Sequence, residues 1–221
     1  MVKYNIYLFR HGQTEFNRDH RFTGWKESKL TKLGIKQARI VARKLKNKKI
    51  DIAFQTPQSR SRMTLKEVLR FHPECRKIIT DRRMIERNYG KLNGMSHKEF
   101  IKKIGDQELD LLRQGDALEN LSKEDSKKVE KFLGEEEFNL IHRGYDISPP
   151  GGESFADVEK RVGRFIKFLK AHIKKNKVSV AVSASGNSIR LFRKIIEKRS
   201  KEEVVKWKIS YTKIFHYSIE A

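Results

Sequence analysis

Arg10-His11-Gly12 closes a short apolar run, residues 5–10 (N-I-Y-L-F-R), and puts an arginine beside a histidine where a strand would end. A neutral imidazole is available near pH 7 and can attack phosphorus, while a guanidinium grips phosphate oxygens in pairs. A second run, residues 178–184, delivers Ser185-Gly186-Asn187-Ser188-Ile189-Arg190. A glycine-bearing turn from strand to helix presents backbone N–H groups and the positive end of the helix, which suits an anion. Together the two segments point to phosphate chemistry.

The elements that must position them read as alternating strands and helices. Residues 5–10 and 50–54 have the length and apolar character of buried strands, and residues 77–80 form a third. Thr31 is placed to cap a helix whose Ile35, Ala38, Ala42 and Leu45 fall at helical spacing, and Met63, Leu65, Val68 and Leu69 mark the next helix. Val158, Val162, Phe165, Ile166 and Leu169 outline a longer one. The Val-rich run 178–184 suits a central strand buried on both faces, with a helix from Ser188 and a final strand near residues 214–219. This order predicts an α/β fold, a mostly parallel sheet flanked by helices on both faces. Ligands of such sheets bind beyond the carboxyl ends of the strands. Residues 96–149 are charged, with short helical patterns around residues 100–104, 109–112 and 129–133, and read as an insertion or lid within a single domain spanning 1–221. Pro149-Pro150-Gly151-Gly152 breaks the chain after it.

Several segments match short motifs in register. Arg10-His11-Gly12-Gln13-Thr14-Glu15-Phe16-Asn17 is similar to R-H-G-[EQ]-[ST]-x-x-N, and Arg21-Phe22-Thr23-Gly24-Trp25 to R-F-T-G-W. Leu30-Thr31-Lys32-Leu33-Gly34 continues the pattern, and Thr56-Pro57-Gln58-Ser59-Arg60-Ser61-Arg62-Met63-Thr64 resembles S-P-L-x-R-A-x-x-T. Glu86-Arg87-Asn88-Tyr89-Gly90 is similar to E-R-H-Y-G, Pro150-Gly151-Gly152-Glu153-Ser154 to P-G-G-E-S, and Gly186-Asn187-Ser188-Ile189-Arg190 to G-N-S-[LI]-R. The matches occur in order from residue 4 to about 195, and together they resemble the histidine-phosphatase superfamily, in particular the cofactor-dependent phosphoglycerate mutases.

What the resemblance implies is a phosphoglycerate mutase-like fold and a phosphoryl transfer that interconverts 2- and 3-phosphoglycerate. His11 would be the nucleophile that becomes phosphohistidine, with its other ring nitrogen held by a backbone carbonyl. Arg10 and Arg60 would bind the moving phosphoryl group, and Glu86 would serve as general acid and base. Asn17, Thr23, Gly24, Tyr89, Gly186 and Asn187 fall at positions that contact phosphate or substrate, and Arg113 at the first of two arginines that grip the substrate carboxylate. No metal and no permanently bound cofactor is implied. The phosphoryl donor would be 2,3-bisphosphoglycerate, and a homodimer is a form to test.

The chain departs from the pattern at Ser185, where the family carries a second histidine. Serine is neutral and offers one donor, and losing a preorganised donor of this kind costs about 10²–10³ in rate. The expected activity is therefore impaired. Asn88 stands for the usual histidine, Gln114 for the second carboxylate-gripping arginine, and His97 for a lysine. Two alternatives follow: a phosphomonoesterase of the same superfamily, and an inactive phosphate- or nucleic-acid-binding protein.

Composition limits the partners. Fifty Lys and Arg against 28 Asp and Glu give a net charge of +22, a field that attracts phosphorylated metabolites, nucleic acid or acidic membranes. The lysines are spread along the whole chain and no aromatic-and-basic RNA-binding motif is present, so a small phosphorylated substrate is favoured over nucleic acid. No apolar run approaches the roughly 20 residues needed to span a membrane. Cys75 is the single cysteine, and with no leader-like apolar stretch at the start the expectation is a cytoplasmic protein.

Overall fold

The computed structural model describes residues 2–114 and 121–220. Five strands form one sheet: β1 (Lys3–Arg10), β2 (Ile52–Gln55), β3 (Lys77–Thr80), β4 (Val180–Ala184) and β5 (Ile214–Glu220). Their spatial order is β3-β2-β4-β1-β5, parallel except for β5, which runs antiparallel to β1. Eight helices among the described residues accompany it: α1 (Glu15–Arg18), α2 (Lys32–Leu45), α3 (Ser59–Leu69), α4 (His97–Gln114), α5 (Lys123–Arg143), α6 (Phe155–Asn176), α7 (Gly186–Glu197) and α8 (Lys201–Lys206). The expected α/β architecture is the one observed.

Both faces of the sheet are covered, and the strands divide their side chains between the two cores with the period of two that a pleat imposes. Ile6 and Leu8 of β1, Ile52 and Phe54 of β2, and Val180 and Val182 of β4 pack with Val158, Val162, Phe165 and Leu169 of α6. Tyr7, Phe9, Ala53 and Ala181 point the other way, onto Val41, Ala42 and Leu45 of α2 and Leu65 and Val68 of α3. That is why the central strands read as continuous apolar runs and not as an alternation. Thr31 caps α2 as the sequence predicts, its side chain accepting from Gly34 N. The helix after β4 starts at Gly186, two residues earlier than the spacing of apolar residues suggests, because the polar Gly186-Asn187 already belongs to its first turn.

The insertion differs more from its sequence reading. The three short patterns belong to two long helices, α4 with 18 residues and α5 with 21. Each buries only a narrow stripe, so its periodicity is thin, and the exposed face carries ion pairs such as Lys128–Glu124 and Lys131–Glu135 at helical spacing. Glycines let the two backbones close up: a Cβ on Gly105 would stand 2.1 Å from the Glu130 carbonyl, and one on Gly134 2.0 Å from that of Ile101. Residues 115–120 of this insertion lie outside the described residues. A small cluster of Phe22, Tyr89, Leu92, Phe100 and Ile141 ties the hairpin to the body. No helix among the described residues is long and apolar enough to cross a membrane.

Candidate active site

The site grows from two neighbouring strand ends. β1 and β4 are parallel, with Arg10 opposite Ala184. The ladder continues one step further, where His11 N donates to the Ala184 carbonyl at 3.1 Å. His11 therefore stands beside Ser185, the residue that caps the N-terminus of α7. Gly12 N donates to Thr64 Oγ1 at 3.1 Å, and a Cβ on Gly12 would lie 2.2 Å from the Gly34 carbonyl. Gly12, Gly34 and Thr64, drawn from three separate motifs, thus seat the His11 loop against α2 and α3.

His11 is 1% exposed. Its Nδ1 donates to the Gly12 carbonyl at 2.8 Å, since a carbonyl can only accept, and this fixes the tautomer and leaves Nε2 with its lone pair. Burial, with Arg60 and Arg10 close by, holds the imidazole well below its usual 6.5, against a small opposing effect of the Gly12 carbonyl. The ring is neutral at physiological pH, as a nucleophile must be.

Arg60 enters from the first turn of α3 and is fully buried. It donates from Nη1 to the Lys26 carbonyl and from Nη2 to the Gly24 carbonyl, both at 2.8 Å, while its buried Nε has no protein partner. Burial pushes its pKa down to about 10, so it remains cationic. Gly24 acts here through its carbonyl, which also accepts from Gln58 Nε2. Arg10 Nε and Ser185 Oγ are likewise buried without a protein partner. Three unpaired buried donors at one sheet end are a marked departure from normal satisfaction and fit a site built for an anion.

Glu86 is held on the other side of this centre. Its Oε1 accepts from Arg87 N at 2.8 Å and Asn187 N at 3.3 Å, so the first turn of α7 contacts the carboxylate directly. The Glu86 backbone carbonyl takes Trp25 Nε1 at 2.9 Å and Arg161 Nη2 at 3.1 Å. Arg161, which sequence reasoning missed, is paired through two bonds with Glu153, and Glu153 in turn accepts from Asn88 N. The P-G-G-E-S segment thus supports the E-R-N-Y-G segment. Asn88 Oδ1 accepts from Gly90 N and Asn93 Nδ2, so the asparagine found in place of histidine serves the turn.

A cleft of about 500 Å³ opens over these groups. Arg10, Asn17, Thr23, Glu86, Tyr89, Gly186 and Asn187 line it. Tyr89 OH accepts from Asn187 Nδ2, and burial raises its pKa. His11, Arg60, Gly24 and Ser185 are buried and do not line the cleft. Arg113 is not brought to the cleft: on α4 it bonds Ser126 Oγ at 3.0 Å and pairs with Asp110. The lid instead contributes His97, His142 and Arg143, joined by Arg190 of α7 and His20 and Arg21 near α1. Burial depresses His97 to about 4 and His142 to about 3, the latter also repelled by Arg143. His142-Arg143 ends α5 just before Pro149, and its position next to a break is the only sequence cue to it. Among the described residues, no group of His, Cys, Asp or Glu is arranged to hold a metal.

Comparisons with known proteins speak to the family and the fold. The family model of the histidine phosphatase superfamily (branch 1) matches residues 6–131 and 117–221. A 2,3-bisphosphoglycerate-dependent phosphoglycerate mutase of Mesorhizobium japonicum is 34% identical over 205 residues, 91% of this chain and 85% of the relative. Among solved structures, a phosphoglycerate mutase from Bacillus anthracis superposes with a TM-score of 0.69 at 19% identity, over 99% of this chain and 88% of that one. The α-ribazole phosphatase of Shigella flexneri gives 0.70 at 18% identity, over 96% and 89%. The structural likenesses speak to the fold and the sequence match to the lineage: the chain belongs to the histidine phosphatase superfamily, branch 1, with phosphoglycerate mutases among its relatives.

Proposed function

We propose that the chain transfers a phosphoryl group between hydroxyls of a small phosphorylated acid by way of phosphohistidine at His11, in the manner of its phosphoglycerate mutase relatives. The observation that carries this reading is the buried, neutral His11, its Nδ1 tied to Gly12, its Nε2 left with a lone pair and its ring under the influence of Arg60 and Arg10. Nε2 would form the bond to phosphorus as the ester oxygen leaves, and Glu86 would give that oxygen its proton and recover it on return. Arg10 and Arg60 would stabilise the charge spread over the equatorial oxygens. A donor with two anionic ends, such as 2,3-bisphosphoglycerate, suits a cleft with Arg10 at one end and Arg143 and Arg190 elsewhere on its wall. Ser185 supplies a single hydroxyl where a cationic donor would do more, so the rate is reduced.

One observation favours a phosphomonoesterase as the second reading: Arg113, which the mutase resemblance assigns to the substrate carboxylate, pairs with Ser126 and Asp110 outside the cleft. Both readings are tested by incubating the protein with 2,3-bisphosphoglycerate and measuring intact mass. An acid-labile phosphate that is absent from His11→Ala is expected. No adduct on a folded protein would sink the phosphohistidine reading. Rapid release of inorganic phosphate without transfer to 3-phosphoglycerate would favour the phosphatase.

A further inference from the structure

The connector between α8 and β5 lines the cleft with residues 207–211. Its main chain does something specific there. The carbonyls of Val205, Trp207 and Ile209, two residues apart in each step, each accept from a different cleft arginine. Arg143 Nη1 reaches Val205 O at 3.0 Å, Arg190 Nη2 reaches Trp207 O at 2.6 Å, and Arg10 Nη1 reaches Ile209 O at 2.9 Å. Three guanidinium groups from the end of α5, from α7 and from β1 are thereby aligned along one stretch of backbone.

Arg10 is also packed on both sides of its guanidinium group. A Cβ on Gly186 would stand 3.1 Å from its Nε, 3.2 Å from Cζ and 3.5 Å from Nη2, so the bare backbone at the start of α7 lies against the guanidinium face. The ring of Tyr211 flanks the same group, with Cζ 4.2 Å from its centroid. The Nη1 side is bonded to Ile209, while Nε is buried and has no protein partner. A guanidinium fixed in plane with its Nε edge free is preorganised for two-point binding of a phosphate.

We propose that the segment 205–211, the end of α8 and the connector after it, is the positioning element of the anion clamp, with Tyr211 setting the plane in which Arg10 meets the phosphoryl group. Tyr211 acts through Arg10 and is a positioning residue, not a catalytic one. The inference rests on the phosphoryl-transfer reading only for the identity of the anion. Replacing the ring removes a cation–π contact of a kind that changes an equilibrium by about three- to thirtyfold.

The test measures the affinity of the whole protein for orthovanadate and inorganic phosphate, in wild type, Tyr211→Phe and Tyr211→Leu. Tyr211→Phe keeps the ring and is expected to bind within about twofold of wild type; Tyr211→Leu is expected to lose about three- to thirtyfold with its melting temperature unchanged. Binding of vanadate by Tyr211→Leu as tight as by wild type would overturn the proposal. So would equal losses in the Phe and Leu variants, or a wild-type protein that binds neither anion. Should Tyr211→Leu fail to fold, Gly186→Ala decides, because its methyl presses on the same guanidinium: weakened vanadate binding supports the proposal and unchanged binding overturns it. Failure of phosphohistidine to form would sink the phosphoryl-transfer reading and leave the vanadate series intact, so the two are separable.

Discussion

At the sheet end of the cleft, His11, Arg60 and Ser185 are each no more than 1% exposed, whereas on the lid Leu111 and Phe132 are about 60% exposed. The two regions also differ in charge. Residues 97–143 hold twelve of the 28 acidic residues but only nine of the 50 basic ones, so the excess of positive charge belongs to the body. The sheet end holds its arginines by backbone carbonyls: Arg60 by Gly24 and Lys26, Arg10 by Ile209. The lid rests on a small aromatic cluster around Phe22 and on helix–helix contact through Gly105 and Gly134. A charge that must meet a phosphoryl group at fixed distance needs rigid anchoring, because electrostatic stabilisation depends on preorganised geometry. A wall that selects among substrates needs shape and charge, which the imidazoles and Arg143 can supply from a less deeply packed element.

That contrast can be broken at three points of decreasing effect. Ser185→His adds a donor at the buried end, and phosphoryl transfer is expected to rise by about 10²–10³, read as the single-turnover rate of His11 phosphorylation. An unchanged rate would mean that Ser185 is not the weak point of the centre.

The lid wall should show itself in acid. His97 and His142 are held near 4 and 3 in the folded chain, while in the unfolded chain they revert to about 6.5. Between those values the unfolded chain binds more protons, so their contribution to stability is present above 6.5 and is lost as pH falls below it. The melting temperature should drop between pH 7 and 5, and His142→Gln should flatten that slope. A slope unaltered in the variant would place the acid sensitivity elsewhere, with His11 the next group to replace, since its pKa is depressed in the same direction.

The smallest effect is expected of Arg113→Ala. Its partners are Ser126 and an exposed Asp110, and exposed pairs contribute at most about 1 kcal/mol. Steady-state kcat and KM should stay within about twofold of wild type. A large rise in KM would return Arg113 to the substrate.

The groups legible in the sequence are those bound to local pattern. Arg10-His11-Gly12 and Ser185-Gly186 stand where apolar runs stop, and the parallel pairing of β1 with β4 brings those two ends together. Arg60 and Glu86 are legible only through resemblance, since an arginine in a helix and a glutamate in a loop carry no local mark. The insertion reads poorly because two helices packed mainly on each other need little apolar surface. Its charged stretch shows no visible difference between Arg113 and His142-Arg143, although α4 turns the first to Ser126 and α5 ends with the second in the cleft.

The sequence by itself determined the two-sided sheet, the strand-end placement of His11 and the family. The sheet and the strand-end placement follow from hydrophobic period and from where the apolar runs stop, and the family follows from the motifs. Only the tertiary structure decided which arginines share the cleft and what holds them. The carbonyls of Val205, Trp207 and Ile209 hold them, and every residue has a carbonyl, so side-chain identity cannot announce the role. The end of α8 and the connector after it acquire it from their path past three guanidinium groups contributed by parts of the chain as far as 199 residues away.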